Sequence, residues 1–126
     1  MHENEVSEKA IGCAIEVHRE LGPGLLEAVY EEALCYELSL AGIQFKRQIH
    51  VPIVYKSVKL SADLKLDLLV ENKVIIDVKA KEDMTELDAA KTLTYLRLSD
   101  IRLGLNINFH TLLLRDGIKR IVNHLI

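Results

Sequence analysis

Apolar residues recur at Ile11, Ala14, Ile15, Val17 and Leu21, close to the period of a helix, and predict an opening helix from about Val6 to Leu21. The acidic stretch before it suits the positive end of the helix dipole, and Gly22-Pro23-Gly24 breaks it. Leu26, Val29, Tyr30, Ala33, Leu34, Leu38 and Ala41 then form a broad stripe for a second helix from Leu25 to about Leu40, with Gly42 suited to the position just past its end. From Phe45 to Tyr55 the pattern turns β-rich. Pro52 marks an edge position or a bulge, and Lys56-Ser57 a tight turn into a strand from Val58 to Val70. Strict alternation puts Leu64, Leu66, Leu68 and Val70 on one face, with Lys65, Asp67 and Leu69 on the other.

After Glu71-Asn72-Lys73 a strand from Val74 to Ala80 sets Val74, Ile76, Val78 and Ala80 opposite Asp77 and Lys79. Thr85-Glu86-Leu87-Asp88 reads as a helix cap, opening a third helix to about Leu98 through Leu87, Ala90, Leu93 and Thr94. A buried strand from Arg102 to Phe109 follows. Past a loop near His110 come a short apolar run, Thr111 to Leu114, a turn at Asp116-Gly117 and a closing strand, Ile118 to Val122. The order is α-α-β-β-β-α-β-β, an α/β pattern. Nothing resembling a linker or repeat interrupts it, so residues 1–126 read as a single domain.

Register decides whether the acidic residues of the two central strands meet. With a three-residue loop, Val70 pairs with Val74, and counting outward sets Asp67 across from Asp77, with Lys79 on the same face. A two-residue loop would throw the aspartates to opposite faces.

Composition adds constraints. The chain has 126 residues, is 49% hydrophobic and carries a net charge of −3, which argues against a generic nucleic-acid-coating protein. The charge is uneven: residues 1–37 hold nine acids and two bases, whereas 38–65 hold five bases and only Asp63 as an acid. Such runs are usually solvated faces, or else part of a basic surface. The acidic N-terminus does not read as a secretory leader, and no apolar stretch is long enough for a membrane span, so the expected location is cytoplasmic, without a membrane partner. Cys13 and Cys35 lack zinc-site spacing and read as reduced, buried thiols.

Two facing carboxylates repel each other where water is scarce, unless a cation neutralises them or one takes up a proton. Oxygen ligands from Asp67 and Asp77, the backbone carbonyl of Val78 and waters suit Mg²⁺ or Mn²⁺, whereas zinc prefers nitrogen or sulfur donors. Lys79 is then placed to orient an attacking water or to offset charge on a phosphoryl group. These are the parts of a phosphodiester hydrolase. The bland alternative is an Asp-Lys ladder that keeps one sheet face wet.

Asp67, nine intervening residues and Asp77-Val78-Lys79, set between these helices and strands, resemble the PD-(D/E)XK nuclease superfamily. Gly24-Leu25-Leu26-Glu27-Ala28-Val29-Tyr30, with AIEVHRELGPGLLE, LDLLVENKVIIDVKAK, LTYLRLSDIRLGLNINF and LLRDGIKRIVN, resembles the family named GxxExxY protein over nearly the whole chain. The resemblance implies a restriction-endonuclease-like core, a central mixed β-sheet flanked by helices, and Glu27 as a further acidic ligand near Asp67 and Asp77. In this sequence Leu66 stands where the motif has proline. Lys91 occupies the third-helix position before Tyr95 where the superfamily often has glutamine, and a lysine cannot accept a hydrogen bond.

Several residues keep two readings. Glu27 either joins the site or simply favours the first turn of its helix, and Tyr30 and Tyr95 either frame the site or fill the core. His18 is a proton carrier or a helix-end histidine, while Asn106 and Asn108 face a groove or water. The leading functional expectation is a Mg²⁺-dependent nuclease or nuclease-like phosphodiesterase, its target DNA, RNA, a branched junction or another phosphodiester. Its rivals are a non-cleaving nucleic-acid-binding or regulatory module and a structural dimerisation domain. A homodimer is expected because so small a domain alone contacts few base pairs.

Overall fold

A computed structural model describes residues 1–125. The helices are α1 (Glu3–Leu21), α2 (Glu27–Leu40) and α3 (Glu86–Ser99); the strands are β1 (Phe45–Tyr55), β2 (Val58–Val70), β3 (Val74–Lys79), β4 (Leu103–Asn108) and β5 (Ile118–Val122). A single 3₁₀ turn, Leu114–Gly117, precedes β5. One five-stranded sheet runs in the order β1-β2-β3-β4-β5, parallel only between β3 and β4 and antiparallel elsewhere. This is the expected mixed sheet flanked by helices, in the expected order.

Local chemistry sets most boundaries. α1 starts three residues before the first strongly apolar position because His2 Nδ1 accepts from the Asn4 amide while the Glu5 carboxylate accepts from His2 N–H, a reciprocal cap. Thr85 and Asp88 cap α3 in the same way. Pro52 sits on the edge strand β1, beside a register shift between Pro52 and Val54, so both of its readings hold. Lys56 and Ser57 form the β1–β2 turn with φ of 47° and 70°.

Two apolar clusters lie on opposite faces of the sheet. One joins α1 and α2 to Leu68, Val70, Val74, Ile76, Val78, Leu105 and Phe109. The other joins Leu96 of α3 to Leu64, Leu66, Leu69, Ile75 and Ile121, with Ile49, Val51 and Ile53 packed against it. The simple alternation expected for β2 is therefore wrong. Leu64 and Leu66 face α3, Leu68 and Val70 face α1 and α2, and the pattern inverts across Asp67. Gln48, which lies between the partners Arg47↔Leu68 and Ile49↔Leu66, has φ of 52°, a left-handed backbone that turns the ribbon at this point.

The expected stripe on α3 also needs correction. Asp88, Thr92 and Leu96 are its buried positions, whereas Leu87 is 75% exposed. On α2, Leu26 and Val29 are exposed and the buried side is Tyr30, Glu31, Leu34, Cys35 and Leu38. Both cysteines are free thiols, Cys35 buried and Cys13 half-buried.

Candidate functional site

The turn between β2 and β3 has three residues, Glu71 to Lys73, and the register is Val70↔Val74, Leu69↔Ile75 and Leu68↔Ile76. The ladder stops one pair short of Asp67 and Asp77. Beyond it the strands part, since β2 bends away as the inner strand of the β1–β2 ribbon while β3 continues beside β4. A cavity of about 160 Å³ opens in this fork, lined among others by Glu27, Asp67, Asp77, Lys79, Lys91 and Tyr95. Lys65, Leu66, Ile75 and Ile76 complete it.

Asp67 replaces the missing ladder bond with its side chain, Oδ2 accepting from the Val78 amide at 3.0 Å. The Asp77 carboxyl lines the same cavity and acts on Asp67 as a neighbouring acid. Burial first, and then the neighbouring Asp77, raise the Asp67 pKa to about 7, against the opposing effect of the Val78 amide. Asp77 is 8% exposed, and Lys79 Nζ lies 3.5 Å from its Oδ2, with both side chains largely covered. Across the parallel ladder Asp77 partners Asn106. Asn106 is fully buried, accepts from the Thr92 hydroxyl at 2.5 Å, and has no hydrogen-bond partner for its Nδ2 among the described residues. Asn106 and Asn108 thus face neither groove nor water: Asn108 exchanges hydrogen bonds with the Lys81 backbone.

The loop before α2 explains how Glu27 reaches the cavity. Gly24 has φ of 104°, a conformation that disfavours side chains. Tyr30 Oη donates to the Gly22 carbonyl at 2.6 Å and accepts from the Leu25 amide at 3.1 Å, latching the loop to the helix it precedes. The Tyr30 ring stacks on Phe109 with centroids 4.6 Å apart. Tyr30 is therefore core and anchor, outside the cavity lining. Glu27, in the first turn of α2, has its pKa pushed up chiefly by desolvation, with Lys79 pulling down and Asp77 pushing up. One turn on, buried Glu31 accepts from Arg47 Nε at 2.6 Å and from Gln48 Nε2 at 2.8 Å, so it holds the bend of β1 opposite Asp67.

On the far side α3 contributes Lys91 and Tyr95, with Lys91 Nζ 5.6 Å from the Tyr95 ring centre. The Lys91 pKa is raised, first by Tyr95 and further by Asp77 and Asp67, against the opposing effect of burial. His18 is remote from this lining: its Nε2 pairs with the Thr111 carbonyl at 2.8 Å, and its ring lies near Phe109. Of the residues singled out from the sequence, six meet at the cavity, and Tyr30 and His18 do not. Val78 contributes its amide, and its side chain is core. Lys65 was missed although it lies two residues before Asp67 on one strand, which is a readable signal. Glu31, Gln48 and Asn106 carry no local signal of comparable clarity.

Among the described residues, no group of three or more His, Cys, Asp or Glu side chains is gathered closely enough to hold a metal ion. The donor set is small: Asp67 and Asp77 line the cavity from β2 and β3, and Glu27 lines it from α2. Such a set fits a hard divalent ion, because Mg²⁺ is commonly held by one or two carboxylates and keeps its waters or takes substrate oxygens. No cysteine or histidine lines the cavity, so the donors do not fit a zinc site.

Among known families, that of the PD-(D/E)XK nuclease superfamily matches residues 4–121. Neither a curated protein nor a solved structure matches the chain. Among the described residues no helix is long and apolar enough to cross a membrane.

Proposed function

The chain belongs to the PD-(D/E)XK nuclease superfamily, and from that premise we propose that it is a Mg²⁺- or Mn²⁺-dependent nuclease of the GxxExxY branch, hydrolysing nucleic-acid phosphodiester bonds. The observation that carries this reading is the gathering of Asp67, Asp77 and Lys79 on one cavity in an open fork of the sheet, with Lys79 Nζ 3.5 Å from Asp77 Oδ2. Asp67 and Asp77 would hold the ion, with the Val78 carbonyl and Glu27 as further oxygen donors. When bound, the ion supplies charge neutralisation at a phosphate oxygen and acidifies a water. Lys79, beside Asp77, donates to the phosphoryl oxygens as negative charge develops there. A water oxygen forms the new bond to phosphorus while the ester P–O bond breaks, giving a phosphate monoester and an alcohol. Lys91 and Lys65, on opposite walls, attract the phosphate and orient it.

The second reading, a non-cleaving nucleic-acid-binding or regulatory module on the same fold, draws on Lys91. An ammonium at the cavity wall binds phosphate, yet cannot accept a proton from water as a glutamine carbonyl accepts its hydrogen bond. One series of thermal melts separates the two. Saturating Mg²⁺ or Mn²⁺ should raise the midpoint of the wild type, by roughly 2.7 kcal/mol of stability at a hundredfold excess over Kd. Asp67→Ala and Asp77→Ala should not respond. DNA and RNA substrates incubated with the metal-loaded wild type should then be cut, and Lys79→Ala should bind without cutting. Metal-dependent stabilisation with every substrate left intact favours the binding module. A wild type indifferent to metal, with alanine variants that melt higher, removes the metal site altogether.

A further inference from the structure

Beyond Asp67 the β1–β2 hairpin has no neighbour on the β3 side, because β3 pairs with β2 only from Leu68 to Val70. Residues 49–66 form a free two-stranded ribbon. Ile49, Val51, Ile53, Leu64 and Leu66 pack against the α3 side, so the ribbon is anchored along one face. The pairs between them, His50↔Lys65 and Pro52↔Asp63, point the other way, as direct partners do, and all four are exposed. Past the register shift, Val54↔Lys59 and Tyr55↔Val58 are exposed too, and Lys56 stands at the tip.

Charge sets the ribbon apart from the rest of the chain. Residues 49–66 carry Lys56, Lys59 and Lys65 against Asp63 alone, within a protein whose net charge is −3. Asp63 shares the outer face with His50 and Lys65. That leaves Lys56 and Lys59 on the outer ribbon, and Lys65 where the ribbon meets the cavity. The tip turn is built against backbone preference. Both central residues lie at positive φ, where asparagine and glycine are favoured, yet the sequence has Lys56 and Ser57. A strained turn that keeps a cation at its apex is a hint of function.

Resting on the nuclease reading above, we propose that this ribbon is a docking arm for the backbone of a DNA duplex, guiding it from the tip along Lys59 to Lys65 and into the fork. The B-form major groove admits a two-stranded β-ribbon, whereas the A-form groove of duplex RNA is deep and narrow, and this favours DNA. Six residues of strand separate Lys59 from Lys65, roughly 20 Å, about the length of six base-pair steps at ~3.4 Å each. The arm thus widens a footprint that the cavity alone leaves small. The exposed Val54, Tyr55 and Val58 are then surfaces for base edges such as thymine methyl groups.

The test is fluorescence-anisotropy binding of a duplex DNA of twenty base pairs over a salt series, without divalent metal so that nothing is cut. The wild type is compared with Lys56→Gln/Lys59→Gln and with a control that removes two exposed cations elsewhere, Arg115→Gln/Lys119→Gln. The ribbon variant should lower the slope of log K against log salt by about 1.8, one phosphate contact per lysine, and bind roughly tenfold or more weakly at 0.1 M salt. The control should keep the wild-type slope. Thermal midpoints verify that both variants fold. A ribbon variant matching the wild type overturns the arm while the nuclease reading stands, and so does tighter binding to an RNA duplex of the same sequence. Equal slopes together with a dimer broken by Tyr55→Ser reassign the ribbon to contact between copies. If the wild type binds neither duplex, the arm is overturned, and the metal-dependent cleavage assay decides the nuclease reading separately.

Discussion

At the residue scale, the behaviour of Asp67 is set by opposing forces. Burial and a neighbouring carboxylate favour its protonated form, while a single amide hydrogen bond favours the charged one. In the unfolded chain an aspartate titrates near ~3.9, whereas in the fold this one is raised to about 7. The folded state holds the proton more tightly, so this contribution to stability is fully present below about pH 4 and is lost as pH rises towards 7. In the absence of metal, the melting midpoint should therefore fall between pH 5 and 8. Asp67→Asn should flatten that slope and raise stability at pH 8 by on the order of 2 kcal/mol. Calorimetric melts in chelator across this range decide it, and a wild-type midpoint that climbs with pH would show that the pair is not frustrated. The pair itself was legible because it is local: two strands, a three-residue turn and a count along each. Glu27 came only from the resemblance to the GxxExxY family. Its placement depends on the Tyr30 latch and the Gly24 backbone, which hydrophobic periodicity does not express.

At the scale of elements, the strands and helices were legible and the faces of some were not. Periodicity assumes that one side of an element is oily. α3 breaks that assumption, burying Asp88 and Thr92 for their hydrogen bonds to Lys81, Thr85 and Asn106 while leaving Leu87 in water. β2 breaks it too, because its faces exchange at Asp67, under a bend held by Glu31 from α2. No local pattern encodes a bond between residues so far apart along the chain. The close seat of α3 on β4 makes a prediction. A Cβ added at Gly104 would stand 2.8 Å from Thr92 Cγ2 and 3.3 Å from Leu96 Cδ2. Gly104→Ala should cost about 1–3 kcal/mol by overpacking. Thr92→Ser removes the crowding methyl and keeps the hydroxyl that Asn106 needs, so adding it to Gly104→Ala should recover part of the loss. Urea unfolding of the two single variants and the double gives that coupling, and simple additivity would show that the clash is relieved elsewhere.

For the whole molecule, the position of the site between two unequal packing clusters matters most. The α1–α2 side gathers buried residues from both helices and three strands, whereas the α3 side has six, with the ribbon resting on it largely through half-buried groups. Regions with fewer buried contacts open at lower free energy. Amides of α3 and of the ribbon from Ile49 to Leu66 should therefore exchange with solvent faster than those of β3 and β4, with the border running through the fork. Asp77 and Lys79 belong to the firm half of the sheet, while Asp67 starts the bend and Lys91 and Tyr95 come from the softer layer. An ion held jointly by Asp67 and Asp77 ties the two halves together, and a ligand that binds only the closed arrangement suppresses its opening. Hydrogen exchange with and without Mg²⁺ should thus show slowing centred on residues 60–68 and on α3, little change in β4, and none of it in Asp67→Ala. Uniform slowing over the whole chain would mean that the ion stabilises the fold globally, and the fork would then not be the joint between a firm half and a soft one.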